Sequence, residues 1–169
     1  ALTASFTYSP ASPAAGQAVQ FTDTSTGGPT SWQWNFGDGI TSSEQKPVHT
    51  YTVPGTYTVS LAVTDGNGLT DTATKDFAVH QRPTADFTWS PTTPNEGQST
   101  TFTDTSTDAD GFIIQRQWQF SHISYQLTSQ NAYTSFPDNG EYTVTLTVTD
   151  NDNLNASVTK TVTVLNLPP

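Results

Sequence analysis

The stretch Asp108-Ala109-Asp110-Gly111 has the residue types and spacing to hold a hard cation. Alternating carboxylates can converge on one ion, and a glycine allows the chain to bend sharply around it. The ion this chemistry suits is calcium. No glutamate follows at the EF-hand distance, so the stretch reads as either a calcium loop or a solvated turn. A second acidic loop, Asp150-Asn151-Asp152-Asn153, lies further along.

Other chemistry is thinly represented. His49, His80 and His122 are isolated in sequence, with no metal-ligand spacing between them. No Gly-x-Ser-x-Gly or His-Glu-x-x-His pattern occurs, and nothing nominates a base paired with a nucleophile. Cysteine is absent, which removes disulfides, thiolate catalysis and cysteine-based zinc sites. The expectation is a chain that is not an enzyme and needs no cofactor, with calcium as a candidate. The formal net charge is −10, from 15 acidic and 5 basic residues, and so much negative charge would repel a phosphate backbone. Nucleic acid is therefore excluded as a partner. No apolar run is long enough to insert into a membrane.

The elements that position these residues come in two copies. Residues 4–26 align with 85–107 at a constant offset of 81, which matches Phe6 to Phe87, Gly16 to Gly97 and Phe21 to Phe102. The offset is 84 at Trp34 and Trp118, and 85 from Gly55 and Gly140 onward. Tyr57–Thr64 and Tyr142–Thr149 alternate large apolar with small polar residues, so each has one buried and one wet face. Turn signals punctuate the rest, and no stretch has a helical period. In copy one, strands are expected near 4–9, 18–24, 31–36, 40–43, 46–51, 55–64 and 69–79. The fold class is all-β: two tandem antiparallel β-sandwiches of about seven strands each. The domain expectation is 1–80, a linker at 81–84, a second domain at 85–166, and the start of another linker at 167–169. Pro83 and Pro168 occupy equivalent places, which suggests a piece of a longer array. An up-and-down strand path, with about 30 Å per unit, would make the pair a rod of about 70–80 Å.

Trp34-Asn35-Phe36-Gly37-Asp38-Gly39, Tyr51, Pro54–Val59 and Leu61–Asp65 resemble the PKD (polycystic kidney disease) domain, as do Phe6 and Phe21–Ser25. Copy two matches at its opening and over Tyr142–Asp150, but departs after Phe120, where it reads Ser121-His122-Ile123. The resemblance implies an Ig-like sandwich in an extracellular accessory role, on prokaryotic surface-layer proteins or beside secreted hydrolases. It also implies that some members bind calcium near the start of the domain.

Trp34 and Phe36 lie two apart on one strand, as do Trp118 and Phe120, and these pairs are expected to fill the cores. Gly37-Asp38-Gly39 is tight-turn chemistry, and Ser121–Ile123 should form a wider turn or one of another type. Tyr57 and Tyr142 follow a turn glycine and read as tyrosine corners, each pinning a loop through its hydroxyl. Trp32 should be buried near the sandwich end. Tyr8 and Trp89 should be partly exposed. Trp89, His122 and Tyr125 are the candidate ligand contacts, and Asp108 and Asp110 the candidate calcium ligands. Asn155-Ala156-Ser157 matches a glycosylation sequon. The functional expectation is a non-catalytic extracellular spacer or adhesion module, whose partners are neighbouring domains of its own chain. The rival expectation is an accessory module that binds extracellular protein or polysaccharide through exposed aromatics.

Overall fold

The computed structural model describes residues 1–168; Pro169, the last residue of the second expected linker, lies outside them. The chain divides into two units, Ala1–Gln81 and Arg82–Pro169.

Unit one has seven strands: β1 (Phe6–Ser9), β2 (Ala18–Asp23), β3 (Pro29–Asn35), β4 (Thr41–Ser42), β5 (Val48–Thr50), β6 (Gly55–Asp65) and β7 (Thr70–Val79). They form a three-stranded sheet, β1-β2-β5, and a four-stranded sheet, β4-β3-β6-β7. The expected up-and-down path is corrected here, because the chain changes sheets between β2 and β3, between β4 and β5, and again between β5 and β6. The changes follow from burial. Each strand has one apolar face, and only two facing sheets can cover those faces.

Unit two has β8 (Phe87–Ser90), β9 (Thr100–Asp104), β10 (Ile113–Phe120), β11 (Asn131–Thr134), β12 (Gly140–Asp150) and β13 (Asn155–Val164). Its sheets are β11-β9-β8 and β10-β12-β13. It has six strands among the described residues, not seven. The counterpart of β4 is reduced to a single bridge between Trp118 and Leu127. The cause lies in the turn before it. In unit one, Phe36 N donates to Ile40 O across a hairpin whose Gly37 and Gly39 have φ of 82° and 91°. Gly37 also lies against β6, where a β-carbon would sit 2.6 Å from Thr58 O. Ser121 replaces it in unit two and bonds the equivalent residue instead: its N–H donates to Thr143 O at 3.0 Å and its Oγ accepts from Thr143 N at 3.1 Å. The chain thus stays on β12 past Phe120, and the turn that follows is one residue longer.

Each core is a cluster of rings. Trp34 and Trp118 are fully buried, with Phe6, Phe21 and Phe36 around the first and Phe87, Phe102 and Phe120 around the second. Phe6 meets Trp34 edge-on at 5.2 Å, and Phe87 meets Trp118 in the same way at 5.2 Å. Each indole N–H finds a carbonyl, Glu44 O at 2.8 Å or Ser129 O at 3.0 Å, so burial strands no donor. The long strands keep the alternation read from sequence, burying Val59, Leu61 and Val63 on β6, and Val144, Leu146 and Val148 on β12. The Tyr57 hydroxyl donates to Val53 O and the Tyr142 hydroxyl to Asp138 O, each four residues back, and both side chains are half-buried.

Candidate metal centre

β10 and β12 run antiparallel, with Ile113 opposite Asp150. This register brings the loop that precedes β10 against the loop that follows β12. Two acidic stretches about 40 residues apart in sequence thereby become one site, which reading each loop separately did not reveal.

The seam is hydrogen-bonded in both directions. Phe112 N donates to Asn151 Oδ1 at 2.8 Å, and Asn151 N donates to Phe112 O at 3.0 Å. Gly111 lies inside this seam. A β-carbon there would be 1.9 Å from Asn151 Oδ1 and 2.7 Å from Asp108 Oδ2, so any larger residue must displace these two side chains.

Asp150 organises the second loop. Its N–H donates to Leu154 O, and its Oδ1 accepts from Asp152 N and Leu154 N, both at 2.9 Å. Asn153 completes the turn with φ of 63°, a conformation asparagine tolerates better than most residues. Asp65 holds the matching turn in unit one, accepting from Asn67 N and Leu69 N.

Carboxylates crowd this place. Asp110 and Asp152 have oxygens within 4.8 Å of each other. Both oxygens of Asp108, and Oδ2 of the fully buried Asp150, are sequestered from solvent without a hydrogen-bond partner. Removal from water holds the Asp108 carboxyl above the usual carboxylate range; the side chains of Asp110 and Asp150 push it further in that direction, and the Asp110 backbone acts in the opposite sense. A buried anion without donors is costly. Three orphaned carboxylate oxygens facing further carboxylates form a donor set that suits a hard divalent cation. The residues present therefore fit calcium. Asp108 and Asp110 are the two expected from sequence, and Asp150 and Asp152 join them. Unit one has Gly27-Gly28-Pro29 in place of the acidic loop, and there Gly27 lies against the backbone of Ala1 and Leu2.

The candidate ligand contacts separate. Trp89 is half-buried, and its Nε1–H donates to Thr92 O at 3.0 Å. Its ring borders a cavity of about 190 Å³, lined also by Phe87, Thr88, Thr92 and Lys160. The Lys160 ammonium group is held by Asp86 Oδ1 and Phe87 O. Tyr125 is 63% exposed in the turn after β10. His122 instead turns its ring inward, within 4.8 Å of Phe136 and 5.2 Å of Tyr142. His49, isolated in sequence, pairs in space with Asp38 at 2.7 Å.

The PKD-domain family model matches residues 4–79 and 80–165. Among curated proteins, the pre-pro-metalloprotease PrtV of Vibrio cholerae is 35% identical over 117 residues, which cover 69% of this chain and 12% of that protein. A microbial collagenase of Vibrio alginolyticus is 61% identical over 41 residues, covering 24% of this chain and 5% of the relative. The chain thus spans a small part of the relatives it matches. Among solved structures, the C-terminal 282-residue fragment of intimin, in complex with the intimin-binding domain of its translocated receptor, aligns with a TM-score of 0.58 at 16% identity. That match covers 96% of this chain and 64% of the fragment, and it is a likeness of fold.

Proposed function

This chain belongs to the PKD-domain family, as two consecutive copies, and from that we propose that it is a non-catalytic accessory module of an extracellular protein, in which unit two binds a calcium ion. The relatives support the accessory role, since in each of them the matching stretch is a small part of a larger protease or collagenase. Neighbouring domains of the same chain are then its first partners, and the module holds them apart.

One observation carries the calcium reading: the partnerless, sequestered oxygens of Asp108 and Asp150. Asp108, Asp110, Asp150 and Asp152 would hold the ion, and the Asn151–Phe112 seam would keep the two loops together. Bound calcium supplies positive charge where the chain has gathered negative charge. Its role is structural, fixing the loop that starts β10 to the loop that ends β12.

Thermal unfolding of the full chain with and without calcium tests this reading. Ligand at a hundredfold over its dissociation constant stabilises the folded unit by about 2.7 kcal/mol. The transition of unit two should rise in millimolar calcium, and Asp108→Asn should remove the rise. An unmoved transition at millimolar calcium would end the proposal.

The cavity beside Trp89 favours a second reading, in which the module also contacts extracellular protein or polysaccharide. The indole's polar atom is already bonded to Thr92. Its aromatic surface is what remains to stack on a sugar or prolyl ring. Retention on cellulose, chitin, collagen or cell-wall material that falls in Trp89→Ala would support this reading, and equal retention would remove it.

A further inference from the structure

The two copies fill one aromatic niche with histidines from opposite sides. In unit one, His49 of β5 lies flat on Phe36, with centroids 4.3 Å apart and planes 5° apart, and it meets Tyr51 edge-on at 4.5 Å. Its Nε2 is 2.7 Å from Asp38 Oδ2. The strand register shows what stands there in unit two. His49 faces Val19 across β2, and Thr134 faces Thr100 across β9, so Thr134 occupies the place of His49. By the repeat offset, His122 occupies the place of Asp38. The histidine has crossed to the other member of the pair, and the carboxylate has gone.

The new arrangement has a different electrostatic character. His122 Nε2 is 3.2 Å from both Ser135 O and Thr134 Oγ1. A carbonyl only accepts, so Nε2 carries the hydrogen and Nδ1 the lone pair. Nδ1 is buried and has no hydrogen-bond partner. Around the ring stand Phe120 from β10, Phe136 from the connection after β11, and Tyr142 from β12. Tyr142 is the titratable group among these contacts, and its hydroxyl is spent on Asp138 O. A second proton would therefore place an N–H and a full charge where the described residues provide no acceptor.

We infer that His122 is an acid-sensitive latch in unit two, whose protonation releases the turn at 121–126 from Phe136 and Tyr142, whereas unit one keeps a carboxylate at the same place. Removal from water lowers the affinity of His122 for its proton, and the Ser135 carbonyl acts in the opposite sense. The latched state therefore binds fewer protons than the released one. The latch is fully closed above the ordinary histidine value, near 6.5, and weakens as the pH falls through it. The surface it would uncover includes the rings of Phe136 and Tyr142, which pack on one another at 4.7 Å.

Hydrogen exchange by NMR on the full chain tests the latch, after correction for intrinsic exchange. Between pH 7 and 5, opening at Ser121 and Ile123 should rise by up to about tenfold per pH unit, while opening at Phe36 in unit one should not follow it. Two variants should abolish the response. His122→Phe keeps an aromatic ring that cannot titrate, and Thr134→Asp restores a carboxylate beside Nε2. The same acid response in wild type and both variants would overturn the latch. So would an imidazole nitrogen spectrum placing the neutral hydrogen on Nδ1.

Discussion

Arg116 Nε donates to Asp104 Oδ2 at 2.6 Å, and the carboxylate it holds is 3% exposed. The equivalent residues in unit one are Trp32 and Asp23, where the indole Nε1–H donates to Asp23 Oδ2 at 2.8 Å. The acid that ends the second strand of each unit is satisfied by a cation in one copy and by a neutral donor in the other. The two substitutions should therefore differ. Arg116→Ala leaves a nearly buried carboxylate without its countercharge and should cost about 3 kcal/mol or more. Trp32→Phe removes a single hydrogen bond to a charged group and should cost about 1.5–3 kcal/mol. Urea unfolding, followed through signals of each unit, checks both values.

Asp23 makes unit one acid-sensitive. Burial raises its proton affinity, but hydrogen bonds from Ser25, Trp32 and Gln45 outweigh burial and hold the carboxyl below its usual value. The folded state thus binds this proton less readily than the unfolded chain does. The stabilisation is present above the unfolded value, near 3.9, and is lost as the pH falls through the folded value. In Asp23→Asn the stability of unit one should change less between pH 5 and 2 than in wild type, as measured by unfolding at each pH.

Gly111→Ala should disable the carboxylate site while leaving the fold. The added β-carbon displaces Asn151 and Asp108, which breaks the Phe112–Asn151 bond at a cost of about 1 kcal/mol. The calcium-dependent rise in melting temperature should vanish. Gly66→Ala in unit one is the control, because its φ, like that of Gly111, lies outside the left-handed region and a β-carbon there meets nothing within 4 Å.

Asp108→Asn should reverse its effect with the solution conditions. In chelator, the neutral amide relieves the repulsion from Asp110 and Asp150 and should raise the melting temperature of unit two. In calcium it should lower it relative to wild type. Calorimetry in both buffers checks this crossing.

Gly37 and Ser121 carry opposite demands at one repeat position. Gly37→Ala forces a side chain into positive φ and against Thr58 O, and should cost about 1–3 kcal/mol. Ser121→Gly in unit two loses the bond to Thr143 N and should cost about 1 kcal/mol. Unfolding of the two variants, read in the affected unit, checks the pair.

The chain by itself determined the repeat, the all-β class and most of the interior residues, although Trp32, expected to be buried, is half-buried. Strict alternation in Tyr57–Thr64 and Tyr142–Thr149 fixes which face is buried, and a tryptophan two residues from a phenylalanine must share that face. It also carried both acidic loops, each as a weak signal. What it did not carry was their adjacency. That depends on the β10–β12 register, a long-range pairing that no local period encodes. The exchange between Asp38–His49 and His122–Thr134 was hidden for the same reason. A histidine's neighbours across a sandwich are set by how the strands close on one another, and only the packed structure shows that one imidazole has a carboxylate within reach while the other has only carbonyl, hydroxyl and rings.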